Sequence, residues 1–158
     1  DTNNFLTKTG VRTFEAAAFL RRCGADVTRV RKMFREHVED YRAKGEAIRN
    51  AELFREHFAI SVCPSEGLDS PTVVGAQAAN ELLNIIGVKA SFVLTDYRNT
   101  IYISARSIDE INVQIVMERL GGGGHLNIAG AQLEHYSITE AKDVLKQTLQ
   151  KMLDEGDI

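Results

Sequence analysis

Residues 58–158 predict an α/β domain, a mixed β-sheet flanked by helices, and residues 1–57 predict a helical connector in front of it. Three observations carry that expectation. Short apolar runs bounded by turn residues alternate with stretches whose apolar positions recur every three to four residues. Their order, β-α-β-β-α-β-α, requires a sheet with helices packed on it. Hydrophobic residues make up 44% of the chain and charged residues 26%, a balance that supports a packed core and argues against disorder.

In the connector, Thr13 is placed to cap a helix over FEAAAFLRRC, with Glu15 in the first turn, three alanines behind it and Gly24 as the stop. Asp26 or Thr28 then opens a longer helix through VRKMFREHVEDYRAKGEAIRNAEL. Its Val30, Met33, Phe34, Val38 and Tyr41 follow helical spacing, and its many Lys and Arg form a solvated face. FAISVC, closed by Pro64, reads as a buried strand. Ser70-Pro71 opens a helix, because proline suits the first helical position. That helix carries Val74, Ala78, Leu82 and Ile86 on one face and stops at Gly87. Two strands, KASFVLTDY and TIYISARS, meet at a turn around Arg98-Asn99. Residues 112–120 form a helix burying Val113, Val116, Met117 and Leu120. Beyond a glycine run, a short segment reaches AGAQLEHY, and an amphipathic helix from Thr139 turns Ala141, Val144, Leu145, Leu149 and Met152 inward.

Charge and composition narrow the function. The net charge is −3, with 12 Lys/Arg against 9 Asp/Glu in residues 1–57 and 7 against 13 in 58–158. An acidic back half opposes sequence-blind nucleic-acid binding, which needs a basic face to release counterions. A phosphate ligand is therefore expected to be small and held at a focused site. The apolar runs are far short of the roughly 20 residues that span a bilayer, and the opening DTNNFLTKTG lacks the pattern of a signal peptide. It also lacks an initiator methionine, as in a piece of a longer protein. Cys23 and Cys63 are too few and too far apart for a zinc site or a disulfide framework; both are expected reduced and partly buried, which suits the cytosol.

The stretch richest in chemistry is Gly121-Gly122-Gly123-Gly124-His125. Glycines admit positive φ and close approach of a ligand to the backbone. Successive N–H groups in such a turn form an anion-binding concavity, and His125 adds a donor at its rim. The apolar flanks VMERL and LNIAG set the run apart from a flexible linker. It is neither a dinucleotide fingerprint, since Leu126 stands where the third glycine is needed, nor a P-loop, since His125 replaces the lysine. The second feature is Ser104-Ala105-Arg106-Ser107 at a strand end. Alternation puts Ile101, Ile103 and Ala105 on one face and Tyr102, Ser104 and Arg106 on the other. An arginine fork beside a serine hydroxyl matches phosphate.

ISARS followed by INVQIVMERLGGGGHLNIAGAQL resembles the DHHA1 half of the DHH phosphoesterase superfamily, which includes RecJ-type exonucleases, oligoribonucleases and cyclic-di-AMP phosphodiesterases. The family pattern GGGGHxxAAG is met at Gly121 to His125, Ala129 and Gly130, with Ile128 in place of one alanine. The opening DTNNFLTKTGVRTFEAAAFLRRCGAD is similar to the last motif of the catalytic half and its connector. The combination most resembles the membrane-anchored GdpP-type cyclic-di-AMP phosphodiesterases. The resemblance implies that Ser104, Arg106, Gly122, Gly123, Gly124 and His125 hold substrate phosphate, and that Asp1 is a metal-binding aspartate. It implies a manganese pair in the longer protein, which would activate water for hydrolysis of cyclic di-AMP to pApA. It implies a homodimer of that protein, facing the cytosol, with no membrane contact by this chain. The Asp-His-His triplet and the Asp-x-Asp pair are absent from the sequence, so no catalytic residue is expected in this chain, nor a metal bound tightly to it alone. An oligoribonuclease or RecJ-like exonuclease, acting on short oligonucleotides, and a non-catalytic nucleotide sensor stand as alternatives. His37, His57 and His135 are expected to be structural or surface residues.

Overall fold

The computed structural model describes residues 2, 4–108 and 110–158. Two compact units divide between Glu36 and His37. The first holds α1 (Val11–Arg22) and α2 (Val27–Met33). Gly10 rather than Thr13 precedes α1, and the Thr13 hydroxyl accepts the Gly10 N–H at 3.3 Å. Asp26 caps α2, accepting from the amides of Thr28 at 2.9 Å and Arg29 at 3.4 Å. Neither helix has a buried residue.

The long helix expected behind Asp26 is broken. α2 ends at Met33, and α3 (Val38–Arg49) starts behind His37, whose ψ of 153° is extended. The physical reason lies in the packing. Val30, Met33, Phe34, Val38 and Tyr41, the expected apolar stripe, are all exposed, so burial of that stripe does not enforce a continuous helix. Instead α3 turns the small residues Ala43 and Ala47 to a core shared with the sheet. Cys23, expected to be partly buried, is exposed.

The second unit is built on a six-stranded sheet in the order β1-β2-β3-β4-β6-β5. The strands are β1 (Glu52–Phe54), β2 (Phe58–Cys63), β3 (Ala90–Tyr97), β4 (Thr100–Ser107), β5 (Gly123–His125) and β6 (Ile128–Glu134). β2 and β3 run parallel, joined through α4 (Pro71–Leu82), and the other ladders are antiparallel. The sheet is therefore mixed, as the sequence predicts. Arg98 and Asn99, at φ 52° and 61°, form the two-residue turn between β3 and β4, which matches the strand twist.

The sheet's two faces differ in what covers them. On one, Phe58, Phe92, Leu94, Ile101, Ile103 and Leu133 pack against Val113, Val116 and Met117 of α5 (Val113–Glu118) and against Leu145, Leu149 and Met152 of α6 (Ile138–Glu155). On the other, Ala59, Cys63 and Val93 meet Ala43 and Ala47 of α3 and Val74, Ala78, Ala79 and Leu82 of α4. Small residues let these helices lie close. The Ser91 hydroxyl donates to the Ala79 carbonyl of α4 at 2.6 Å, and a side chain at Gly75 would strike the Thr95 hydroxyl. Because α4 stops at Leu82, Ile86 falls beyond it and is fully exposed rather than buried on its face. α6 begins behind Ser137, ahead of the expected Thr139. Glu140 accepts the Ser137 N–H at 2.9 Å, while its own N–H donates to the Ser137 hydroxyl at 3.3 Å. On the α4 side, Tyr102, Ser104 and Arg106 of β4 are half-buried, and Gln132 and Ile128 of β6 are exposed.

Candidate functional site

Residues directly opposite each other across a ladder share a face, so register alone assembles the site. Three rows cross the half-open side of β4, β6 and β5: Tyr102 with Gln132, Ser104 with Gly130 and Gly123, and Arg106 with Ile128 and His125. Beyond Ser104 the middle row carries no side chain. A groove of about 500 Å³ lies there, lined by Tyr102, Ser104, Gly121, Gly122, Gly123, Gly130 and Gln132, and by Thr72 from the first turn of α4.

The glycine run is not the amide concavity that the sequence suggests. Gly121, at φ 76°, ends α5: its N–H donates to Glu118 O at 3.1 Å, and the Gly122 N–H donates to Met117 O at 2.8 Å. The next three residues form the edge strand β5, laddered to β6. The hairpin is pinned from outside, since the Ser107 N–H donates to Asn127 O at 3.1 Å and the Val113 N–H to Leu126 O at 2.9 Å. The helix end takes the first two amides and the ladder draws the rest into an extended strand, so the amides do not converge. The glycines have other work. A Cβ on Gly122 would strike the Gly130 carbonyl and Ala131, and one on Gly124 would strike Ala129. Gly123 alone of the three faces open space, on the groove.

Arg106 turns toward α4. Its Nε donates to Asn80 Oδ1 at 3.0 Å and its Nη1 to the Ala105 carbonyl at 2.8 Å. Burial lowers its pKa, yet an arginine stays charged at any physiological pH. From the strand spacing, Arg106 and His125 lie about 10 Å apart across Ile128. Ser104, Gly122 and Gly123 thus meet in one groove. Arg106 stands one row along, and Gly124 and His125 are exposed on the edge strand, off the groove lining.

Sequence reading missed Thr72, Asn80 and Gln132 as parts of this surface. Alternation along β4 already puts Tyr102 beside Ser104, but the other three come from elements whose neighbourhood only the strand order reveals. Asp1, the metal residue that the resemblance implies, lies outside the described residues. Among the described residues, no three of His, Cys, Asp and Glu gather as an ion would need, so these residues do not fit a metal pair. A second depression, of about 510 Å³, is lined by Glu134, His135, Tyr136, Glu140, Asp143 and Val144, and its carboxylates disfavour phosphate. No helix among the described residues is long and apolar enough to cross a membrane.

Comparison with known proteins agrees with this architecture. The DHHA1 domain model matches residues 57–152. The cyclic-di-AMP phosphodiesterase PdeA of Listeria monocytogenes is 42% identical over 146 residues, covering 92% of this chain and 22% of that protein. The cyclic-di-AMP phosphodiesterase GdpP of Bacillus subtilis is 41% identical over 158 residues, covering 99% of this chain and 24% of that protein. The chain therefore spans less than a quarter of the length of these curated relatives. Among solved structures, an exopolyphosphatase-related protein from Bacteroides fragilis superposes with a TM-score of 0.79 at 22% identity, covering 91% of this chain and 44% of that one, a likeness of fold. With more than half its length matched by the domain model, and with the glycine-histidine segment standing as the edge strand of its sheet, this chain belongs to the DHHA1 domain family.

Proposed function

We propose that this chain is the nucleotide-holding domain of a longer, manganese-dependent phosphodiesterase that hydrolyses cyclic di-AMP to pApA. One observation carries the reading: a groove whose floor at Gly130 and Gly123 has no side chains, with a serine hydroxyl in it and a charged arginine one row away. Such a floor lets a ligand lie against the backbone, and hydroxyl and guanidinium donors suit phosphate oxygens. The substrate class is supported by relatives near 40% identity that are named for cyclic di-AMP. We assign Ser104, Arg106, Gly122, Gly123, Gly124 and His125 to the ligand, with His125 reaching it from the sheet edge. The metals and the bond-breaking step are assigned to the remainder of the longer protein, so this chain binds without cleaving. A cytosolic location and homodimerisation of the longer protein accompany the reading.

Calorimetric titration of the chain with cyclic di-AMP, pApA and a short RNA tests it. Cyclic di-AMP or pApA should bind more tightly than RNA. Arg106→Ala should weaken that binding roughly 10- to 100-fold, the range for losing a charged hydrogen bond. Tighter binding of RNA would favour an oligoribonuclease or exonuclease. Unchanged affinity in both Arg106→Ala and His125→Ala would dismiss the site. Manganese-dependent cleavage by this chain alone would overturn the division of labour.

A further inference from the structure

We infer that Tyr102 and Gln132 read the nucleobase and select adenine over guanine, an inference that deepens the nucleotide-holding role proposed above and rests on it. The two residues face each other across β4 and β6 at one end of the glycine floor, and both line the groove. Tyr102 is half-buried and its ring is backed by that of Tyr97, with centroids 6.4 Å apart at 51°. The Arg98 guanidinium lies 4.9 Å from the Tyr97 ring. A ring held in this way presents a fixed surface on which a flat base can stack. Among the described residues, neither the Tyr102 hydroxyl nor the Gln132 carboxamide has a hydrogen-bond partner, so both are available to a ligand.

Cross-strand partners lie about 5 Å apart, so a base stacked on Tyr102 brings its edge to Gln132. A carboxamide offers one donor and one acceptor side by side. Adenine presents the complement, N7 to accept from Nε2 and the N6 amino group to donate to Oε1. Presented through the same N7 edge, guanine offers two acceptors, N7 and O6, and would set O6 against the carboxamide oxygen. The distances suit one nucleotide. Tyr102 and Arg106 are about 13 Å apart along β4, and Ser104 sits about 7 Å from each. A base at Tyr102 leaves the ribose over Gly130 and Gly123, where no side chain obstructs it, and the phosphate between Ser104 and Arg106.

The test is titration of the chain with cyclic di-AMP and cyclic di-GMP by calorimetry, with the Gln132 side-chain amide followed by NMR. Wild type should bind cyclic di-AMP at least about 10-fold more tightly, as one good bidentate pair allows, and the Gln132 amide signals should shift. Gln132→Leu should abolish the preference by weakening cyclic di-AMP while leaving cyclic di-GMP within about twofold, since a position at the surface makes little difference to the fold. Tyr102→Leu, which keeps bulk but removes the aromatic face, should weaken both ligands roughly 5- to 100-fold. A preference that survives in Gln132→Leu, or equal binding of both ligands by wild type, would overturn the inference; loss of affinity in Arg106→Ala would then leave the phosphate-holding role standing. No binding of either dinucleotide would overturn both.

Discussion

The two faces of this sheet are made from the same strands and have opposite fates. The α5/α6 face is closed: Phe58, Phe92, Leu94 and Ile101 are at most 2% exposed, and large apolar side chains from both helices fill it. The α3/α4 face is packed over β2 and β3 mainly by alanines, with Val74, Leu82 and Val93 among them, and toward β6 and β5 it leaves Gln132, Ile128 and His125 exposed. Stability therefore concentrates on one side, and the other is free to carry ligand chemistry on a rigid support. The strands make this possible because alternation lets Ile101, Ile103 and Ala105 anchor β4 while Tyr102, Ser104 and Arg106 lie half-buried on the other face.

Breaking the closed face should have the largest effect. Leu149→Ala removes a fully buried side chain from α6 and should cost about 3 kcal/mol in denaturant unfolding, with the relative affinities for ligands unchanged in the folded fraction. The glycine run divides the two roles within three residues. Gly122→Ala should destabilise by roughly 1–3 kcal/mol, because its Cβ meets the Gly130 carbonyl and Ala131. Gly123→Ala meets nothing and should leave the melting temperature within a few degrees, yet weaken cyclic di-AMP several-fold by placing a methyl group on the groove floor. Equal melting temperatures for the two variants would remove the distinction.

The smallest expected effect concerns the thiols. Burial, reinforced by the negative charge of Glu46, pushes the Cys63 thiol up to about 11. The folded state thus holds this proton more tightly than the unfolded chain. Its contribution to stability is full below the ordinary cysteine value and is lost as pH rises through about 11. At pH 8 a thiol reagent should modify exposed Cys23 and spare Cys63 until denaturant is added. Raising the pH from 9 to 11 should lower the melting temperature of the wild type more than that of Cys63→Ser.

Local chemistry was legible in the sequence wherever one residue type dictates the backbone. Pro71 marks the first residue of α4, Arg98-Asn99 the β3–β4 turn, and the alternation of ISARS the two faces of β4. Illegible were features decided by distant partners. Gly123-Gly124-His125 has no strand propensity and is a strand only because β6 folds back beside it, pinned through Asn127 and Leu126. The helical stripe from Val30 to Tyr41 reads as continuous, but its apolar residues are exposed and the helix breaks at residues 34–37. Arg106 was visible as a phosphate-type residue, whereas its hold on Asn80 follows from α4 lying beside β4.

Amide chemical-shift mapping during addition of cyclic di-AMP is the most direct measurement of what the uncovered side of the sheet does. Shifts should gather at Tyr102, Ser104, Gly123, Gly130 and Gln132 and leave Leu145, Leu149 and Met152 of α6 unmoved. Shifts confined to the acidic depression around Glu134 and Asp143, or no shifts at millimolar ligand, would contradict it.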